Sequence, residues 1–380
     1  MNNDIPLSLY IHVPWCVRKC PYCDFNSHAQ QGELPQAAYV AALLDDLRQD
    51  AGFIQGRSLH SIFIGGGTPS LFSADAYEQL LAGIRQHVPF ASDIEITMEA
   101  NPGTFEQQKF NDYRRVGFNR LSIGIQSFDA AQLKQLGRIH DRDEALRAAA
   151  IARDAGFDNF NLDLMFGLPG QRQQQALADL QQAIECNPTH LSWYQLTIEP
   201  NTEFFSRPPA LPPDDAIADM QEAGIALLAR NGFARYEISA FSRPGKASRH
   251  NLNYWQFGDY LGIGAGAHGK LTTLSADGSL HLVRTRKTRM PQHYMSSNGA
   301  YCVEHKQVLP AELPFEFMMN ALRLCNGVPA TLFTPRTGVA LPDVLLDKLR
   351  NNGLLQTDSS RLAASRQGLA HLNTLLLEFL

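Results

Sequence analysis

The sequence predicts an α/β fold: a partial, open TIM-like barrel of six strand–helix units with a smaller, mainly helical C-terminal domain. Three observations carry this expectation. Short β-branched runs alternate with longer amphipathic segments up to about residue 235, the pattern of a parallel sheet with helices outside it. The alternation repeats six times, short of the roughly eight units that close a full barrel. After about residue 300 it gives way to helical stretches around one short hairpin pattern.

The strand-like runs fall at residues 7–13, 61–64, 95–99, 121–125, 159–165 and 190–197. Each concentrates apolar and β-branched residues over a strand's length. Helical patterns follow at 35–50, 74–87, 105–116, 141–155, 172–185 and 214–231, where apolar residues recur at three- and four-residue spacing. Beyond them, 262–269 is glycine-rich and 270–286 reads as strands around an Asp277-Gly278 turn. The C-terminal stretch offers helices at 313–325, 343–351 and 367–379, with a hairpin at 353–357 and 361–364. That combination is winged-helix-like. The expected domains are 1–235, a connecting region 236–299, and 300–380.

Hydrophobic residues make up 44% of the chain, charged residues 19%, and the net charge is -5. Such a balance suits a globular protein with ample core and lacks the basic field that holds nucleic-acid phosphates. The winged-helix-like region is therefore expected to pack or dock rather than read DNA. No run reaches the roughly 18 apolar residues of a bilayer span, so an integral membrane protein is not expected. The N-terminus lacks the features of a secretory signal. Cys186, Cys302 and Cys325 are scattered singly, which is no disulfide framework. A cytoplasmic location is expected.

Ligands of such folds gather beyond the carboxyl ends of the strands, and the chemistry-bearing residues of this chain fall there. After the first strand come Cys16, Cys20 and Cys23, spaced C-x3-C-x2-C, close enough to converge on one point. Buried apolar cysteines have no reason to adopt that spacing. A structural zinc site wants four ligands and would borrow His12 or His28. A four-iron cluster on three thiolates keeps one iron open for an exchangeable ligand.

The second strand leads into Gly65-Gly66-Gly67-Thr68, where consecutive glycines let the backbone approach a ligand; a plain strand-exit turn needs only one. Glu99 ends the third strand, placed to bond ribose hydroxyls or an amine, or to stand as a solvated or capping carboxylate. Gln126 ends the fourth. Asp163 lies within the fifth, where a carboxylate is costly unless it is paired or faces a cavity. Arg138 is a candidate partner for Asp163 or for a ligand carboxylate.

Two further stretches stand out. Gly264, Gly266 and Gly269 spell G-x-G-x-x-G, but no helix pattern follows, which rejects a dinucleotide site. This strand is expected to pass close to the ligand cavity, with His268 a spare ligand. Residues 249–255 contain HN-x-x-YW. On a helix, His250 and Tyr254 share a face, as do Asn251 and Trp255. His250 offers an imidazole as a metal ligand, and the aromatic rings offer stacking surfaces. The alternative is that Tyr254 and Trp255 pack an interdomain core, with His250 a hydrogen-bonding bystander.

Together these residues resemble the coproporphyrinogen III dehydrogenase-like branch of the radical S-adenosylmethionine (SAM) family, and within it the heme-chaperone members. The resemblance runs nearly the whole length. It implies a [4Fe-4S] cluster on Cys16, Cys20 and Cys23, with Tyr10 near it and Tyr22 close to the SAM adenine. It implies that Gly66, Gly67, Thr68 and Glu99 contact SAM, and that Gln126, Arg138 and Asp163 line the same cavity. HN-x-x-YW resembles the heme-binding motif of these chaperones. That implies heme contact by His250, Tyr254 and Trp255, with His250 on the heme iron.

Two departures set the chain apart from the dehydrogenase. Phe25 stands where that enzyme resembles C-x3-C-x2-C-x-C, and only fifteen residues precede Cys16. The resemblance therefore implies a heme chaperone that passes heme to acceptor proteins, membrane-bound respiratory enzymes among them. The alternative is a radical SAM oxidoreductase generating a 5′-deoxyadenosyl radical to act on a tetrapyrrole such as coproporphyrinogen III.

Overall fold

The computed structural model describes residues 4–102, 106–275 and 278–380, without the side chains of 106 and 107. Gly103, the expected helix start at 105 and Asp277 of the expected turn lie outside these residues. Six parallel strands form the centre: β1 (Leu7–Val13), β2 (Leu59–Gly66), β3 (Phe90–Ala100), β4 (Arg120–Gln126), β5 (Phe160–Phe166) and β6 (His190–Gln195). They pair in chain order, each parallel to the next. β4 is buried at every position, as expected of a parallel strand covered on both faces.

The outer helices are α1 (Gln36–Gln49), α2 (Ala74–His87), α3 (Glu106–Val116), α4 (Arg142–Asp154), α5 (Gln173–Glu185) and α6 (Asp214–Arg230). Their starts carry sequence signals. Ser73 caps α2 by accepting from the Ala76 N–H, and Asp141 and Glu144 form a reciprocal capping box on α4. A short helix the periodicity does not predict, Ala130–Gln135, is capped by the Asp129 carboxylate. It separates Gln126 from Arg138 and turns the chain back toward the strand ends.

The sheet continues past the six units. β7 (Asp259–Ile263) runs parallel to β1 on its other side, and β8 (His268–Leu274), β9 (Leu280–Lys287) and β10 (Cys302–Gln307) add antiparallel strands beyond it. Short strands Ala240–Ser242 and Ala234–Arg235 extend the opposite edge. The described residues thus form a twelve-stranded sheet that runs from β10 to Ala234–Arg235 without closing into a barrel. Residues 236–299 contribute strands to both edges.

Two buried ionic networks fix the added strands. Asp259 on β7 accepts from Arg57 Nη1 at 2.8 Å, from Lys270 Nζ at 2.9 Å and from the Thr272 hydroxyl at 2.8 Å. Lys287 on β9 donates to Asp46 at 2.6 Å and Asp50 at 2.7 Å on the α1 side. Buried charges hold only when paired in this way.

α7 (Arg249–Trp255), capped by Ser248, packs against β1, β2 and β7 on one side and the C-terminal module on the other. The module has its own core, in which Phe317 from α8 (Leu313–Ala321) meets Leu346 and Leu349 from α9 (Asp343–Asn351). The hairpin expected at 353–357 and 361–364 is reduced to a single bridge between Leu355 and Ala364; Arg361–Leu362 pairs antiparallel with Val328–Pro329 instead. The single closing helix expected at 367–379 is two pieces, α10 (Arg366–Ala370) and α11 (Leu372–Leu377), meeting at His371. Gly368 holds the first piece against the hairpin, since a Cβ there would lie 2.0 Å from the Leu354 carbonyl oxygen. The turn at His371 then carries Leu375 into the core.

Candidate functional site

Cys16, Cys20, Cys23, Tyr22, Gly66, Gly67, Thr68, Glu99, Gln126, Arg138 and Asp163 all border one cavity of about 240 Å³ at the carboxyl ends of the central strands. Tyr10 does not. Its hydroxyl bonds His12 Nδ1 at 2.9 Å, and His12 Nε2 bonds the Asn26 carbonyl at 2.8 Å. Tyr10 therefore reaches the cysteine loop only through His12.

The loop is shaped by backbone bonds. The Thr68 N–H donates to the Trp15 carbonyl and the Gly67 N–H to the Val13 carbonyl, each at 2.7 Å. Strand Trp15–Cys16 pairs with His28–Ala29, closing the segment that carries Cys20 and Cys23. The approach demands glycine. Gly66 has φ +114°, and a Cβ there would lie 2.5 Å from the His12 ring; one at Gly67 would lie 2.4 Å from the Trp15 carbonyl oxygen. The glycines thus serve backbone packing as well as any ligand.

The three thiols border the same space without meeting at a single-ion point: among the described residues, no three His, Cys, Asp or Glu side chains do so. That corrects the expectation of convergence on one point. It suits a donor set in which each cysteine takes a different iron of a cluster. His12 and His28, the residues a zinc site would borrow, do not border the cavity.

Arg138 is not the partner of Asp163. Its Nη2 donates to Asn101 Oδ1 and to the Gly124 carbonyl, both at 2.6 Å, and its Nη1 lies 3.7 Å from Cys20 Sγ. Its Nε is buried with no partner among the described residues, a donor left over for an acceptor in the cavity. Asp163 instead accepts from Ser122 and Asn161, each at 2.8 Å. Burial pushes its carboxyl up, opposed by these bonds. Glu99 accepts from the Gly66 N–H at 3.0 Å. Burial, and after it the charge of Asp163, pushes the Glu99 carboxyl up to about 8. A cationic group arriving in the cavity would relieve both carboxylates.

Gln126 holds the left-handed region at φ +69°, an uncommon conformation for a side-chain-bearing residue. Its Oε1 accepts from the Tyr194 hydroxyl at 2.7 Å. Tyr194, Asn101 and Ser122 border the cavity as well, and sequence reasoning did not single them out. Tyr194 lies in strand β6, and Asn101 lies in the same Glu-Ala-Asn-Pro stretch as Glu99. Position at a strand end was the signal that could have found both.

The glycine-rich strand packs on the cysteine loop. The Asn26 amide donates to the Ala265 carbonyl at 2.8 Å, and Gly264 admits no Cβ because the His12 carbonyl oxygen would lie 2.4 Å away. β8 follows it, in keeping with the rejected dinucleotide site. His268 is exposed and outside the cavity.

HN-x-x-YW is helical, as α7, but His250 is not open to a ligand. It is 1% exposed, with Nδ1 bonded to Ser61 at 3.1 Å and Nε2 to the Tyr254 hydroxyl at 2.8 Å. Its ring stacks on Phe63. Burial, then the nearby His60 and Arg120, lowers its pKa to about 3. The expected axial ligand is thus a neutral, doubly bonded core imidazole in this structure. Tyr254 packs against Tyr260. Trp255 faces the C-terminal module, where the Arg323 guanidinium lies 4.5 Å over its ring.

An open parallel sheet with a three-cysteine loop, a glycine turn and a buried carboxylate-lined cavity at its strand ends defines a radical SAM protein. Residues 10–183 match the radical SAM superfamily, and residues 308–371 match the HemN C-terminal domain. The fold is that of the Escherichia coli coproporphyrinogen III oxidase HemN, a radical SAM enzyme. The TM-score is 0.82 at 22% identity, covering 99% of this chain and 90% of that one. Among curated proteins, the heme chaperone HemW of Escherichia coli (strain K12) is 54% identical over 99% of this chain and 98% of its own length. HemW of Haemophilus influenzae is 53% identical over 88% of this chain and 87% of its own. The chain belongs to the HemW family of radical SAM proteins. That family membership implies SAM and a [4Fe-4S] cluster. No helix among the described residues is long and apolar enough to cross a membrane.

Proposed function

We propose that the protein is a heme chaperone: it binds heme, carries a SAM-ligated [4Fe-4S] cluster, and passes heme to acceptor proteins, membrane-bound respiratory enzymes among them. The observation that carries this is full-length identity of 54% to a curated heme chaperone, together with one cavity bordered by all three cysteines. In this proposal Cys16, Cys20 and Cys23 hold the cluster, which supplies redox chemistry and an open iron for SAM when bound. Arg138, with its unpartnered Nε, takes the SAM carboxylate. Glu99 and Asp163 favour the cationic and hydroxyl-bearing parts of SAM, Tyr22 covers the adenine, and Gly66, Gly67 and Thr68 form the floor. Residues 1–235, 236–299 and 300–380 are the proposed functional divisions, and the cytoplasm is the proposed location.

The heme motif contributes through α7. Since His250 is committed to Ser61 and Tyr254, iron ligation by His250 requires that pair of bonds to open. The closed arrangement assigns His250 and Tyr254 to holding the helix in place and leaves Trp255 as the ring directed toward the C-terminal module.

The deciding experiment uses the anaerobically reconstituted full-length protein. A saturable Soret shift on heme titration, with no decarboxylation of coproporphyrinogen III in the presence of SAM and reductant, is the expected result. Robust decarboxylation would replace the chaperone with the oxidoreductase alternative. Zinc in place of iron and sulfide after anaerobic purification would remove both.

A further inference from the structure

A chain of buried hydrogen bonds leads from the cysteine cavity through the sheet interior to the start of α7. Ser122 on β4, Asn161 on β5 and His190 on β6 stand side by side in register. Asp163, two residues beyond Asn161, shares their face and borders the cavity. Asn161 Nδ2 donates to Asp163 Oδ1 at 2.8 Å, and His190 Nδ1 lies 2.7 Å from Asn161 Oδ1. His190 Nε2 lies 2.9 Å from the Tyr236 hydroxyl. The backbone of Ser248, the residue that caps α7, hydrogen-bonds the same hydroxyl. Asn161 and His190 are fully buried, and neither they nor Tyr236 border the cavity.

The chemistry of these groups gives the chain one direction. A carboxylate only accepts, so Asn161 turns its amide nitrogen to Asp163 and its carbonyl to His190. The Ser192 hydroxyl donates to that same carbonyl at 3.1 Å, which fixes the amide. Burial, and after it the charge of Arg120, holds the His190 pKa well below its usual value. The imidazole is therefore neutral, with one donor and one acceptor. Nδ1 carries the hydrogen for Asn161, and Nε2 accepts from the Tyr236 hydroxyl. Every donor points toward Asp163. In that arrangement successive bonds strengthen one another and favour the carboxylate at the end.

We propose that His190 and Tyr236 are positioning residues that couple the SAM site to the heme helix, so that heme held through α7 weakens SAM binding and SAM weakens heme binding. The inference rests on the heme-carrier reading and deepens it. Heme contact by His250 requires its bonds to Ser61 and Tyr254 to open, and opening loosens the helix start at Ser248. Tyr236 then loses its partner there, and the carboxylate of Asp163 loses the far end of its support. One coupling free energy governs both affinities, so the effect is reciprocal.

The test uses the anaerobically reconstituted full-length protein as wild type, Tyr236→Phe and Ser192→Ala. SAM affinity is measured by equilibrium dialysis with and without saturating heme, and heme affinity by Soret titration with and without saturating SAM. Tyr236→Phe keeps the ring and removes the hydroxyl that continues the chain, whereas Ser192→Ala removes a hydroxyl that touches Asn161 from the side. In the wild type each ligand is expected to weaken the other about fivefold or more. Ser192→Ala keeps that factor. Tyr236→Phe still binds each ligand alone, and the factor falls to about one. Two ligands that ignore or strengthen each other in the wild type overturn the proposal and leave the heme-carrier reading standing. Full coupling in Tyr236→Phe overturns it too, as does loss of coupling in Ser192→Ala, which would trace the effect to a general loosening of β6. Tyr236→Phe that binds neither ligand makes Tyr236 a structural support and also overturns it. A wild type that does not bind heme removes the carrier reading and the coupling with it.

Discussion

His250 Nε2 and the Tyr254 hydroxyl lie 2.8 Å apart, one helical turn from each other on α7. The bond closes the coordination position that an axial heme ligand would need. It also ties the helix to β2, because the other ring nitrogen bonds Ser61 and the imidazole stacks on Phe63 at 5.2 Å. The expected outcome is that His250→Ala destabilises the protein by about 2–4 kcal/mol, the cost of a buried ring and two hydrogen bonds. Tyr254→Phe should cost about 1 kcal/mol, since it removes one bond and keeps the ring. Urea unfolding of the protein measures both. A change within about 0.5 kcal/mol for His250→Ala would place the ring outside the core.

Glu99 makes the stability of the cofactor-free protein fall as pH rises. Its carboxyl is held up at about 8 in the fold, against a usual value of 4.5, chiefly by burial. Between those values the folded state binds the proton that the unfolded chain has lost, so folding opposes ionisation and stability declines with pH. Glu99→Gln, which keeps the acceptor for Gly66 N–H, should remove this decline and stabilise the protein at pH 8 by roughly 1–3 kcal/mol. Thermal unfolding across pH 5 to pH 9 of both proteins checks the sign. SAM should reduce the difference, because a cation beside Glu99 favours its charged form.

How much of this was legible before the structure differs by type of residue. The six strands and their helices followed local periodicity, and β1 and α2 fall at the expected residues. Cavity residues such as Glu99 and Gln126 were legible because their places at strand ends are a property of the topology, whereas Ser122, Asn101 and Tyr194 were not singled out. The pairing of β7 with β1 was not, since it joins Leu7 to Asp259 and no local pattern reports a partner so distant. Of the two partners the sequence offers Arg138, Asp163 and a ligand carboxylate, the first is not realised for a related reason: the helix Ala130–Gln135 sets where the chain returns, bringing Arg138 to Asn101. The burial of His250 was hidden as well. In a polar stretch such as Arg-His-Asn-Leu-Asn, only tertiary packing decides that His250 and Asn253 face inward.

Arg138 should govern SAM affinity through its geometry and not its charge alone. Its Nη2 is shared by Asn101 and the Gly124 carbonyl, which leaves Nε for a ligand. Lysine keeps the charge and loses the fork. Arg138→Lys is expected to weaken SAM binding about tenfold, equivalent to ~1.4 kcal/mol. Equilibrium binding of SAM to the reconstituted protein measures this. Unchanged affinity would mean that Arg138 serves only Asn101 and the cysteine loop.

The glycine turn should be intolerant of a single methyl group. Gly66 combines φ +114° with so close an approach that a Cβ would lie 2.5 Å from the His12 ring, so both backbone strain and overlap oppose a side chain. Gly66→Ala is expected to cost about 2–4 kcal/mol and to shift His12 off the Asn26 carbonyl. By contrast, Gly156→Ala has a strained φ of +79° and open space around it, so it should cost only about 1 kcal/mol. Paired unfolding curves separate overlap from backbone strain.

Cys20 lies on the cavity and within reach of Arg138, whereas His250, Tyr254 and Trp255 of the heme motif lie on α7 and do not border that cavity. The two sites share no residue. Cys20→Ala is therefore expected to reduce cluster iron and sulfide to background while heme still binds with wild-type affinity. Iron and sulfide analysis beside a heme titration of the same preparation measures both halves. Loss of heme binding together with the cluster would show that the cysteine loop, through its contacts with the glycine-rich strand at Ala265, also sets the position of α7.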